Sequence, residues 1–306
     1  ILFSVLTLIA SVAVGNFAQI NSMTLPLKEM GIHPLLSSLL ITGCVAAVLI
    51  GGMHRMAKFA SFVIPLKASL YLGIGLIILF LNSEKILPAF RLMFESAFDF
   101  SAATGGILGA GLSRAITTGF DRGIFATDAG TGIVPILQSG ARTTHPAVDG
   151  LVTLVAPFMV MIICTMTGLI LLISGAWQQP DLQSTNMVTY AFREGLGNSI
   201  GSSIVIVALL LFGYTTILAW ACCAEKAAAY LWGTKHGSWF KYFYVLLTPI
   251  GILVHVDFIW TFADICITAM LATNMIGIAM LSREVITTSR EYFDQESKTQ
   301  QKKAPA

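Results

Sequence analysis

Apolar residues in this chain come in unbroken blocks of about 18 residues or more, the length a helix needs to cross about 30 Å of hydrocarbon. Short stretches rich in Gly, Pro, Asn and charge separate them. The blocks are apolar almost all round, whereas a helix on a soluble core keeps a polar face. Only 11% of the 306 residues are charged and 56% are hydrophobic, against about a quarter charged in ordinary globular domains. The chain therefore reads as an all-α integral membrane protein and not as a soluble enzyme. The blocks predict eight membrane helices at about 1–23, 34–52, 60–82, 103–141, 147–175, 198–231, 240–260 and 263–286. Residues 1–286 form one transmembrane domain on this reading, and 287–306 a polar tail without order beyond its first turn or two. The polar connections 83–101 and 176–197 have room for surface helices, the first including the amphipathic stretch Ile86–Phe98.

Orientation follows from the loop charges. Arg55, Lys58, Arg142, Lys226, Lys235 and Lys241 fall on one side, together with Arg283, Arg290, Lys298, Lys302 and Lys303 towards the C-terminus. The other side has Lys28, Lys85, Arg91 and Arg193. The C-terminus and the Gly52–Phe59 loop are thus expected on the cytoplasmic side, with Ile1 starting there too. Lack of outer-membrane strand patterning and of an export signal points to the bacterial inner membrane. The opening at Ile1, without methionine and already inside an apolar block, reads as the later part of a longer protein or of a split gene. No basic stripe with interleaved aromatics suggests nucleic acid. Cys44, Cys164, Cys222, Cys223 and Cys266 have no metal-ligand spacing and read as packing residues.

The most informative block runs from Gly105 to Gly140. It sets Arg114, Asp121, Arg122 and Asp128 among apolar residues, with Gly119, Gly123, Gly130 and Gly132 nearby. Each charge at mid-membrane costs a few kcal/mol or more and wants a partner or a wet cavity. The glycines around Phe125–Ala129 would let the helix unwind, which the bilayer tolerates only where the freed backbone lines a cavity or binds something. Transporters use such broken helices to meet a substrate carboxylate with a half-helix N-terminus and a cation with loose carbonyls. Close helix packing with charges at an interface is the other reading.

Asn16, Gln19 and Ser22 lie three apart on one predicted helical face, either joining helices or, through Gln19, meeting a substrate. Tyr214-Thr215-Thr216 lies mid-span with Trp220 one turn on. The threonine oxygens suit a hard cation such as Na⁺, or else bond back to their own helix. Lys67, about eight residues into its predicted helix, is expected to snorkel to the headgroups. His255, Asp257 and Asp264 are placed at the last turn, near the outer surface, with Arg91 or Arg193 as partners for Asp264. No Walker loop, dinucleotide fingerprint or nucleophile–base pair occurs. His255 and Asp257 are the only candidates for an intramembrane enzyme, so transport is the better reading.

The ordered elements resemble the sodium:alanine/glycine symporter family over nearly the whole chain up to the tail. Gly15-Asn16-Phe17-Ala18-Gln19-Ile20-Asn21-Ser22 is similar to that family's GN-x-x-Q-x-NS. Arg122 to Gly132 is similar to RG-x-FSNEAG-x-G. Gly51-Gly52, Val63-Ile64-Pro65 with Tyr71, His145-Pro146, Cys164 to Thr167, Trp260 with Asp264, and Asn274 follow in order. The resemblance implies a LeuT-like fold of inverted repeats. Its core helices three to ten are present here, and the first broken helix and core helix two are lacking. It implies sodium-coupled symport, with H⁺ as the other candidate ion, of a small neutral amino acid such as alanine or glycine into the cell. Substrate contacts carry over to Gln19, Phe125, Ala126, Thr127 and Trp220, and sodium contacts to Thr215 and Thr216. Departures are Ala126-Thr127-Asp128 for Ser-Asn-Glu, Met159-Val160 for an Asp-Thr pair, and Thr273 for a proline. The alternative it leaves open is a transport-inactive fragment, or one half of a split carrier whose partner chain holds the missing N-terminal helices.

Overall fold

A computed structural model describes residues 1–98, 107–182 and 184–303. The start of the fourth predicted helix, 103–106, and the last three residues of the tail lie outside the described residues. The first apolar block folds as α1 (Leu2–Val12), a five-residue π-helical turn (Ala13–Phe17) and α2 (Ala18–Glu29), continuous with one another. Then come α3 (Pro34–Leu49), α4 (Met53–Leu81) and the surface helix α5 (Ser83–Phe98). The Gly-rich block forms α6 (Ile107–Thr127) and the short α7 (Ile133–Gln138). It is followed by α8 (Pro146–Thr153), α9 (Val155–Ile173) and α10 (Thr185–Leu196). The chain closes with α11 (Ser199–Trp232), α12 (Thr234–Leu247), a 3-10 stretch (Thr248–Leu253) and α13 (Val256–Lys303). No strand occurs among the described residues.

Local chemistry fixes several of these boundaries. Both α3 and α8 open on proline, whose missing N–H is no loss at a first helical position. The preceding histidine caps each. His33 Nδ1 accepts from the Leu35 N–H at 3.3 Å and His145 Nδ1 from the Ala147 N–H at 3.2 Å. Two expectations fail. The seventh predicted helix does not reach residue 260, because Pro249 cannot donate to an α-helical ladder and the chain turns at Val254-His255 instead. The polar tail does not lose order after its first turns. No Gly or Pro interrupts Ile278–Lys303, and this run of good helix formers extends α13 to Lys303.

Among the described residues, five helical segments are long and apolar enough to cross a membrane: Leu2–Glu29, Arg55–Leu81, Pro146–Ile173, Ser199–Trp232 and Val256–Ser297. Their apolar windows differ in burial. Those of Leu2–Glu29 and Ser199–Trp232 are 56% and 44% buried, and those of Pro146–Ile173 and Val256–Ser297 only 17% each. The core is organised around the two more buried segments, and α11 packs against α12, α10, α4 and α1. Small residues permit the close contacts, as between membrane helices generally. A Cβ on Gly15 would fall 2.2 Å from the Cβ of Trp220, and one on Gly213 2.5 Å from the sulfur of Met23.

Candidate functional site

The break in the Gly-rich block spans Asp128 to Gly132. Asp128, Gly130 and Gly132 have φ of 52°, 76° and 84°, a left-handed backbone that no helix can continue. Asp128 holds this conformation without being glycine, a form of strain that persists only where its surroundings impose it. The end of α6 closes on itself. The Thr127 hydroxyl donates to the Gly123 carbonyl at 2.8 Å and accepts from the Ala129 N–H at 3.3 Å. Buried Thr131 donates to the Asp128 carbonyl at 2.8 Å. Two other helices tie the break down. Asn274 of α13 donates its amide to the Gly130 carbonyl at 2.8 Å. Lys226 of α11 donates to the Ile136 carbonyl and the Ser139 hydroxyl, both at 2.8 Å, setting a cation at the negative end of α7. With six residues, α7 is far shorter than the second half-helix expected.

The widened turn Ala13–Phe17 is the other irregularity, and π turns recur at functional positions. It separates residues that simple helical spacing puts on one face. Asn16 is fully buried and donates its amide to the Tyr244 carbonyl at 2.9 Å, while Gln19 and Ser22 stay half-buried. Asn16 thus joins α12 to the first rod, and its own Oδ1 has no hydrogen-bond partner among the described residues. Gln19 Nε2 donates to the Val14 carbonyl at 3.2 Å.

Two of the predicted substrate contacts converge. Buried Trp220 and half-buried Phe125 border one apolar cluster with Val14, Ile133 and Ala263. The Phe125 ring lies 5.1 Å from that of Trp260. Thr127 is half-buried in the last turn of α6, and Ala126 is exposed. Gln19 reaches the edge of that cluster through its bond to the Val14 carbonyl.

The two predicted sodium contacts meet a different neighbour. Thr215 donates to the Leu211 and Phe212 carbonyls, each at 3.0 Å, and Thr216 to the Phe212 carbonyl at 2.9 Å. Both threonines therefore back-bond to their own helix, which leaves hydroxyl lone pairs for a cation. At Thr215 that cation is the ammonium of Lys67, which donates to its hydroxyl and lies 4.4 Å from the centre of the Phe212 ring. Lys67 is 7% exposed and does not snorkel. The reason is depth. α4 begins at Met53, seven residues before the predicted start, so Lys67 lies fourteen residues in, about 21 Å by helix rise.

Sequence reasoning also missed the partner of Asp264. It pairs with Arg122 rather than Arg91 or Arg193. The Arg122 guanidinium lies 5.6 Å from the Phe125 ring centre and 5.3 Å from that of Trp260. Arg91 instead pairs with Glu95 at 2.6 Å on exposed α5. His255 and Asp257 face each other at 3.6 Å, both largely exposed. A hollow of about 490 Å³ between α8 and the far part of α13, lined by Pro146, Leu151, Glu284 and Phe293 among others, contains none of the predicted site residues.

Comparison with known proteins matches the family model described as sodium:alanine symporter family to residues 1–306. A protein of Haemophilus influenzae described as an uncharacterized transporter is 36% identical over 288 residues, 94% of this chain and 63% of its own. The sodium/alanine symporter AgcS of Methanococcus maripaludis is 33% identical over 288 residues, 92% of this chain and 62% of its own. The probable sodium/glutamine symporter GlnT of Bacillus subtilis is 30% identical over 306 residues, 99% of this chain and 62% of its own. The chain thus spans less than two thirds of the length of these relatives. The reading as one half of a split carrier finds no support in these matches.

Proposed function

The chain belongs to the sodium:alanine symporter family, a family of transporters rather than enzymes, and on that premise we propose that it serves secondary active import of a small neutral amino acid. The chain is a multi-pass helical membrane protein. Alanine and glycine are the substrates we assign. Sodium is the coupling ion that the names of two relatives carry, with H⁺ the second candidate. The membrane we assign is the bacterial inner membrane, with the C-terminus in the cytoplasm.

The observation that carries this reading is the break at Asp128–Gly132, fixed between α11 and α13 by Lys226 and Asn274. Unwound backbone within an apolar block is tolerated where it lines a cavity or binds a ligand. Phe125 and Trp220 would flank an amino-acid side chain, Thr127 and the backbone of Ala126 would meet its polar end, and Gln19 would contribute an amide. The finer fold we assign is LeuT-like, with eight crossings built from the rods containing α1, α3, α4, α6, α9, α11, α12 and α13.

Uptake of labelled alanine and glycine into proteoliposomes bearing the complete gene product tests the reading. Uptake driven by an inward sodium or proton gradient, and abolished when the gradient is collapsed, is the expected result. Absence of uptake by folded protein under either gradient rules out alanine and glycine as substrates.

A further inference from the structure

We propose that the Lys67 ammonium is a built-in cation at the Thr215–Thr216 position, so that this position binds no sodium; the inference rests on the transport reading and refines its ion coupling. Three observations carry it. Lys67 lies near the middle of the Arg55–Leu81 span and is buried. No carboxylate stands within ion-pairing reach of it among the described residues, so its charge is not neutralised by a neighbour. What it has is the Thr215 hydroxyl and the face of Phe212.

An ammonium and a sodium ion ask a protein for the same thing, oxygen lone pairs in a place from which water is largely excluded. The Thr215 hydrogen is committed to the Leu211 and Phe212 carbonyls, which leaves one hydroxyl oxygen facing the cation. A sodium ion at that oxygen would stand within a few ångströms of the ammonium, where two like charges repel strongly at low dielectric. The oxygen therefore serves one cation or the other. Tethered to α4, the ammonium cannot leave with the substrate as a free ion does. The α4–α11 contact would hold a tethered charge where a sodium-binding carrier holds an exchangeable one. Sodium that drives transport must then bind elsewhere in the protein.

Two readouts on the complete gene product test this. Thermal unfolding in detergent, in sodium chloride and in choline chloride of equal ionic strength, reports sodium binding without needing a substrate. Lys67→Met frees the Thr215 oxygen and is expected to gain a sodium-dependent stabilisation beyond any the wild type has. Lys67→Gln should behave alike, and Thr215→Val added to Lys67→Met should remove the gain. In proteoliposomes, stimulation of alanine uptake by sodium over choline should be about tenfold or more greater in Lys67→Met than in wild type, within the usual range for coupled ligands. Equal sodium stabilisation of wild type and both Lys67 variants overturns the proposal. So does loss of alanine binding in both variants at every sodium concentration, which would make Lys67 a substrate contact. Failure of the wild type to carry any amino acid sinks the transport reading, while the unfolding comparison still decides the role of Lys67.

Discussion

Lys67 and Arg122 are both cations set in apolar sequence, and the protein houses them in opposite ways. Lys67 sits in the α4–α11 contact, 7% exposed, with a hydroxyl and an aromatic face as its partners. Arg122 sits beside the break in the Gly-rich block, its side chain 44% exposed, with a carboxylate and two aromatic rings. Burial within the protein separates the two. Where water reaches, a carboxylate partner remains solvated and an ion pair forms at little expense. In a dry contact a second ion would bring its own desolvation penalty, and neutral oxygen and π-electrons serve instead.

If that contrast holds, the largest effect belongs to the dry region. Thr215→Val takes the hydroxyl partner from a buried ammonium and should cost about 3 kcal/mol of stability, the upper range for stranding a buried donor. Lys67→Met removes the charge itself and should be neutral or stabilising, as replacement of buried ions by apolar side chains often is. The double variant should therefore be more stable than Thr215→Val alone. Chemical or thermal unfolding in detergent reads all three. A Thr215→Val protein as stable as wild type would mean that water reaches Lys67 and that the two regions do not differ.

The next effect tests the backbone beside Arg122. Gly132 has φ of 84°, and an added Cβ would stand 2.6 Å from the Phe3 ring and 2.9 Å from the Asn274 side chain. Gly132→Ala should lose about 1–3 kcal/mol through left-handed strain and overpacking. Gly119 and Gly123, a few turns earlier in α6, have nothing within 4 Å of an added Cβ. Gly123→Ala should be neutral or stabilising by up to about 1 kcal/mol, because alanine is the better helix former. Equal behaviour of the two substitutions would show that the break is not a fixed feature of the fold.

How legible these regions are in the sequence follows from what each signal measures. Glycine density around Phe125–Ala129 marks the break to within a few residues, because unwinding is a local property of the chain; the helix runs on to Thr127 and yields at Asp128–Gly132. The π turn at Ala13–Phe17 left no such mark. Its sequence is compatible with an ordinary helix, and Asn16 reaches Tyr244 across more than two hundred positions. For Lys67 the hydropathy misleads through a boundary. Met53–Phe59 is not apolar enough to look like membrane helix, yet it folds as part of α4 and carries Lys67 too deep to reach the headgroups. Hydropathy alone sets Asp264 at a turn, because nothing in it reveals that Pro249 ends the preceding helix early. Once it lies inside α13, Arg122 is within reach. The pairing of Phe125 with Trp260 is likewise tertiary, and no local pattern encodes it.

The smallest stability effect should come from the wet cation, and its smallness is what completes the contrast. Asp264→Asn removes the ion-pair partner of a half-exposed guanidinium, so water can replace the lost carboxylate. The loss should not exceed about 1 kcal/mol, as for other exposed pairs, and should shrink as salt rises. Arg122→Gln should cost similarly little, because Phe125 and Trp260 still pack on each other at 5.1 Å without it. Unfolding at low and high salt separates the cases: Asp264→Asn should move towards wild type with added salt, and Thr215→Val should not. A loss for Asp264→Asn as large as that for Thr215→Val, and insensitive to salt, would place Arg122 in as dry a setting as Lys67. Burial would then not be what assigns one cation a carboxylate and the other a hydroxyl.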